Sequence, residues 1–220
     1  MATLGPHRRT LLALLAALAL TSPALAASSS SAARPPAQAE DMSLGNPKAK
    51  VTVVEYASAS CPHCARFNND VFPAFRKKYV DTGKVRYVFR EFLTEPVQVA
   101  AAGFLLARCA GKAKYFQVLD DFFRGQAHAY ETGEVKTLIL SAGGHAGLDE
   151  ARIQACLSDK AAGDALNARV ERYATEDKVE FTPTFVINGQ KLPALDHEVT
   201  LQDLDNAVQP LLRGGKAGKG

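Results

Sequence analysis

Cys61 and Cys64 stand two residues apart in Cys61-Pro62-His63-Cys64, a spacing that lets two thiols close a disulfide within one turn of helix. An apolar, strand-like run precedes the pair and an amphipathic, helix-like run follows it, so the first sulfur falls at a helix N-terminus. Unsatisfied backbone N–H groups and the helix dipole favour a thiolate there. A thiolate beside a short-loop disulfide partner is equipped for thiol–disulfide exchange. On this reading Cys61 is the exposed nucleophile, and Cys64, one turn into the helix, is the sheltered resolving thiol. Pro62 withholds an N–H at the first helical position, where none is needed. His63 adds positive charge near Cys61 when its ring is protonated. Two other chemistries compete: a plain structural disulfide, and a Cys61/His63/Cys64 site for Cu(I) or Zn(II). Thiolates suit soft metals, but a closed zinc site needs four ligands, and no second Cys-x-x-Cys or His pair lies nearby in sequence.

The elements that would position these groups are legible on both sides. Val51–Ala57 is almost continuously apolar, as in a strand covered on both faces, with Glu55 interrupting it six residues before Cys61. After the pair, Phe67, Val71, Phe75 and Tyr79 recur at helical spacing; Pro73 should kink that helix, and Asp81-Thr82-Gly83 should end it. Residues 85–92 are β-branched and aromatic and predict a second strand, parallel to the first by default in a strand–helix–strand unit. From Pro96 to Asp177 the signal is helical throughout, over 97–110, a face at 115–123, then 134–142, 149–157 and 159–177, punctuated by Gly143-Gly144 and Gly147. That is far more chain than a crossover needs, and it predicts an inserted helical subdomain. Strand character returns at 184–187, Asn188-Gly189 predicts a tight hairpin, and Thr200 caps a last helix to about Leu212.

The N-terminus speaks to compartment. Arg8 and Arg9, an apolar run over 11–20 and the exit Ala24-Leu25-Ala26 form the three parts of a secretory signal peptide, with cleavage expected after Ala26. Residues 27–41 are rich in Ser, Ala and Pro and predict a flexible leader; 213–220 predict a frayed tail. Removing 1–26 takes Lys+Arg from 26 to 24 against 23 acids, so the mature charge is +1 and nothing supports nucleic-acid binding. In an oxidising compartment four cysteines allow three pairings; if Cys61 pairs with Cys64, Cys109 and Cys156 are left for each other, or remain as two buried free thiols.

The order strand, Cys-x-x-Cys helix, strand, helical insert, hairpin, helix resembles the DsbA-type thiol:disulfide oxidoreductases. Three stretches carry the resemblance: Leu44-Gly45-Asn46-Pro47, Cys61-Pro62-His63-Cys64, and the hairpin from Phe181-Thr182-Pro183-Thr184 to Asn188-Gly189. It implies an α/β chain with a thioredoxin fold, residues 42–95 and 178–212, and an inserted helical subdomain at 96–177. It implies that Glu55 lies buried beneath the cysteine pair with a raised pKa, moving protons to or from Cys64; the alternative is an outward-facing strand acid. It implies that Pro183 is cis and that Thr182 presents backbone groups to an extended substrate strand; the alternative is an ordinary trans proline. Departures are Ser60, where thioredoxin itself has Trp, and Thr182, a type shared with isomerase relatives.

By this resemblance the chain is expected in the periplasm, donating its Cys61–Cys64 disulfide to reduced, unfolded exported proteins. Reoxidation would come from a membrane, quinone-linked partner, and no cofactor beyond the redox-active disulfide is expected. A periplasmic reductase or isomerase is the alternative within the same chemistry, and the copper- or zinc-binding protein the alternative outside it. His128, His145 and His197 are read as surface residues, and Phe122 and Phe123 as core.

Overall fold

The computed structural model describes Met1 and residues 40–214. Apart from Met1, the expected signal peptide lies outside the described residues, as do most of the leader and residues 215–220. A mixed sheet of order β1-β3-β2-β4-β5 organises the rest. Its strands are β1 (Met42–Leu44), β2 (Val51–Ala57), β3 (Val85–Glu91), β4 (Thr184–Ile187) and β5 (Gln190–Lys191). β2 and β3 pair in parallel, as the intervening helix requires, and the other pairings are antiparallel. Strand β1 has no counterpart in the sequence reading, because three residues are too few to display an alternation. Asn188 (φ 47°) and Gly189 (φ 87°) turn the β4–β5 hairpin in the left-handed region, which is what an Asn-Gly pair is suited to.

Every residue of β2 is buried, and alternation divides the strand between two cores. Val53 and Ala57 join the larger core with Cys61, Cys64, Tyr87, Phe89, Phe185 and Ile187; Val54 and Tyr56 join a smaller one with Val88, Tyr173 and Val186. Glu55 shares the parity of Val53 and Ala57, which puts it on the cysteine face of the sheet.

The helix after the cysteines is α1 (Pro62–Arg66), a wide turn over Phe67–Val71, α2 (Phe72–Phe75), and a second wide turn over Arg76–Val80. The kink expected at Pro73 takes this form. Pro73 has no N–H for the ladder, and the Phe72 N–H directly before it reaches back five residues to the Phe67 carbonyl.

Between β3 and β4 lie five helices: α3 (Val97–Cys109), α4 (Tyr115–Thr132), α5 (Val135–His145), α6 (Glu150–Leu157) and α7 (Lys160–Thr175). The last helix is α8 (Leu201–Leu212), opened by a reciprocal Thr200–Asp203 capping box. The architecture is thus a thioredoxin fold with an inserted helical subdomain. Helix α5 runs through Gly143-Gly144 rather than stopping there. A Cβ at Gly143 would come within 2.5 Å of Ile153, so this glycine serves close helix packing and not chain termination.

A disulfide joins Cys109 at the end of α3 to Cys156 in α6, with a Cα–Cα distance of 5.9 Å. Glu91, at the end of β3, is completely buried and binds the insert to the sheet: Arg169 of α7 donates to it at 2.7 Å, Arg108 at 2.5 Å and Tyr115 at 3.0 Å. Glu40 and Asp41, the last two residues of the expected leader, are tied to the folded body by ion pairs. The Asp41 side chain is 1% exposed and pairs with buried Arg90 at 3.1 Å, because a guanidinium withdrawn from water needs a counter-charge. Glu40 pairs with Arg172.

Candidate functional site

Cys61 is the N-cap of α1, extended at φ −80° and ψ 121°, and the Cys64 N–H donates to its sulfur at 3.4 Å. The Cys61 thiol donates to the Thr182 carbonyl at 3.4 Å, across a Thr182–Pro183 peptide bond that is cis. Both cysteines are free thiols in this structure. The loop that presents Cys61 is held from the insert and from the segment after β3. Gln126 and Tyr130 of α4 donate to the Ala59 and Ser60 carbonyls at 2.8 and 3.1 Å, and the Ser60 hydroxyl donates to the Thr94 carbonyl at 2.8 Å.

The donors around its sulfur bring the Cys61 thiol down to about 6. The largest cause is a hydrogen bond from the Cys64 thiol; burial opposes it, and the Thr182 hydroxyl and the backbone N–H groups of Cys64 and His63 reinforce it. That hydroxyl is buried and makes no full hydrogen bond to any protein group, so it is free to turn toward the sulfur. Cys64 is completely buried, and burial first, then its role as donor to Cys61, pushes its thiol well above the usual range.

Two sequence expectations are corrected here. Cys61 is not an exposed nucleophile in the dithiol form: it is 6% exposed, because its sulfur tucks against the Thr182 carbonyl. The His63 ring is not what steadies the thiolate. It turns to Glu198, 2.7 Å from Nδ1, while Arg66 contacts both Glu198 and the ring, so the contribution of His63 is its backbone N–H.

Glu55 is 2% exposed and is therefore no outward-facing strand acid. Burial pushes its carboxyl up to about 8, a hydrogen bond from the Tyr87 hydroxyl works in the opposite direction, and charge on Cys61 adds to the rise. The sequence reading missed Tyr87. Its parity was available: Tyr87 pairs with Val53 in the parallel register, one diagonal step from Glu55 on the same face. Glu198 was also missed, and no local signal could have found a residue so far along the chain from His63.

Beside the cysteines and the cis-proline loop lies a groove of about 420 Å3, lined on its apolar side by Phe181, Pro183, Phe185, Leu192 and Val199, with His63 also on its wall. Phe181 is 47% exposed, a large apolar side chain left open to solvent. His197 also lines this groove, while His128 and His145 lie exposed elsewhere beside Glu134 and Asp121. Phe122 and Phe123 are core. Among the described residues no group of three or more His, Cys, Asp or Glu side chains is placed to hold a metal ion.

A family model described as Thioredoxin matches residues 37–209. Among curated relatives, a chain of Rickettsia bellii named "Putative protein-disulfide oxidoreductase" is 35% identical over 170 residues, covering 77% of this chain and 65% of the relative. A similarly named chain of Rickettsia typhi is 36% identical, covering 77% and 62%. This chain therefore spans just under two thirds of the length of those relatives. Among solved structures, alpha-DsbA1 of Wolbachia pipientis superposes with a TM-score of 0.72 at 26% identity, over 81% of this chain and 94% of the other. Oxidised BdbD of Bacillus subtilis superposes with a TM-score of 0.64 at 21% identity, over 79% and 94%. With the family match spanning most of the chain and the superpositions covering about four fifths of it, the chain belongs to the thioredoxin family, in the architecture of the DsbA proteins.

Proposed function

We propose that this chain is an exported dithiol oxidant, which passes a Cys61–Cys64 disulfide to reduced, unfolded proteins. The observation that carries this reading is the contrast between its two thiols, one brought down to about 6 at a helix start and the other buried with its pKa raised. A substrate thiolate attacks the Cys61 sulfur, the Cys61–Cys64 bond breaks, and Cys64 leaves with the electron pair. Cys64 then takes a proton, for which Glu55, protonated at neutral pH, is the nearby source. A second substrate thiolate attacks the substrate sulfur of the mixed disulfide, and Cys61 departs as a thiolate. With a pKa about one unit below neutrality, that thiolate is about ten times more abundant than its thiol at pH 7, which makes it a good leaving group.

Thr182 and the groove beside Pro183 are proposed to seat an extended substrate segment, main chain to main chain at Thr182 and apolar side chains against Phe181 and Phe185. The reading places the protein in the periplasm after removal of 1–26, with reoxidation by a membrane, quinone-linked partner and no cofactor besides the disulfide itself. No helix among the described residues is long and apolar enough to cross a membrane.

Trapping tests the reading. Cys64→Ala, incubated with a reduced unfolded protein under mild oxidation, should accumulate mixed disulfides through Cys61, while Cys61→Ala should accumulate almost none. Equal trapping by both variants, or by neither, would remove the assignment of roles.

A further inference from the structure

Glu55 sits in the middle of a fully buried strand, and among the described residues its one side-chain hydrogen bond comes from the Tyr87 hydroxyl of β3. The groups that face it are few. Tyr87 approaches from β3, and Cys61 and Cys64 from the start of α1; β4 offers Phe185 opposite Glu55 in register. Tyr115 of α4 lies behind Tyr87 and acts on it. No lysine, arginine or histidine is among these neighbours. Tyr87 is itself 3% exposed and packed against Phe72, with ring centroids 4.5 Å apart, so its hydroxyl cannot swing away without breaking core packing.

We propose that Tyr87 is a positioning residue for proton transfer at Cys64: its hydroxyl fixes one Glu55 oxygen and stabilises the carboxylate, leaving the other oxygen to exchange the proton. This rests on the dithiol-exchange reading above. Without the hydroxyl a carboxylate in this pocket would have no donor, and Glu55 would hold its proton to higher pH. When the disulfide re-forms, Cys64 gives its proton to the Glu55 carboxylate, its sulfur attacks Cys61 in a mixed disulfide, and the group attached to Cys61 leaves as a thiolate. That step needs ionised Glu55 and should follow its titration.

An aromatic disulfide reagent that releases one coloured thiolate on forming a mixed disulfide with Cys61, and a second when Cys64 closes the ring, reads this step directly. Starting from the reduced wild type, the second release should speed up with pH, with an inflection at or somewhat below the Glu55 value of about 8, since Cys61 carries no charge in the mixed disulfide. Tyr87→Phe should move that inflection upward by about one unit, the scale of a hydrogen bond to a charged group, slowing closure roughly tenfold at pH 7 while approaching the wild-type rate at high pH. Glu55→Gln should lose the inflection, and adding Tyr87→Phe to it should change nothing further.

An unmoved inflection in Tyr87→Phe, or the same slowing in the Glu55→Gln background, would overturn the proposal; the second result would mark Tyr87 as merely structural. A wild type that releases only one equivalent would instead refute the dithiol reading, and this proposal with it.

Discussion

At the scale of single residues, the low Cys61 pKa is assembled from short-range donors and not from a neighbouring cation. Thr182 is the donor most open to test, since its hydroxyl is buried near the sulfur and makes no full hydrogen bond elsewhere. Thr182→Val keeps the shape and removes the donor, so the Cys61 thiol should titrate about one unit higher when followed by thiolate absorbance. An unchanged titration would leave the whole shift to the Cys64 thiol and the N–H groups of the helix start. The cysteine pair was legible because its spacing and flanking periodicity are local. Glu55 was legible because an acid in an otherwise apolar strand is conspicuous. Tyr87 was not, since an aromatic residue in a strand reads as ordinary core. The turn of His63 toward Glu198 was not legible either, because ion pairs between distant segments leave no periodic trace.

At the scale of elements, the insert acts as a bracket for the cysteine loop. Helix α3 approaches it so closely that a Cβ at Gly103 would lie 2.7 Å from the Ala59 Cβ and 3.2 Å from Phe122. Gly103→Ala should therefore cost about 1–3 kcal/mol through overpacking, although alanine is the better helix former. A urea denaturation midpoint at or above the wild-type value would contradict that packing. Long periodic helices and the apolar β2 and β3 were plain in the sequence, because burial of a regular element imposes a period on it. The sequence was silent where structure depends on a distant partner: β1 exists by pairing with β3, and Asp41 is ordered by Arg90. Gly143-Gly144 misled for a related reason, since a glycine demanded by a neighbouring helix looks like one that ends its own.

At the scale of the whole molecule, two features set stability. The Cys109–Cys156 bridge spans 47 residues, and closing such a loop should contribute ~4 kcal/mol in the chain-entropy model. Replacing both cysteines with alanine should lower the denaturation midpoint accordingly, while leaving the Cys61 titration in place. The second feature depends on pH. Glu55 binds its proton more tightly folded than unfolded, so its contribution is full below about pH 4.5 and is lost as pH rises toward 8. Cys61 is the opposite case: its folded pKa is depressed, so its contribution is absent below about pH 6 and complete above about pH 9. Only the reduced form has this second term, because a disulfide does not titrate. The stability of the reduced form relative to the oxidised form should thus increase by a few kcal/mol between pH 5.5 and 8.5, as measured by parallel urea denaturations. A difference that stays constant across that range would mean that Cys61 titrates like an ordinary thiol.

The same preference for the reduced form is what would make the disulfide an oxidant, so the reduction potential of the Cys61–Cys64 pair is the most direct measurement. Equilibration with glutathione at pH 7 should give a value less negative than about −200 mV, toward the oxidising end of the thioredoxin superfamily. A potential at or below about −270 mV, the value for thioredoxin itself, would contradict the dithiol oxidant and leave a reductase in its place.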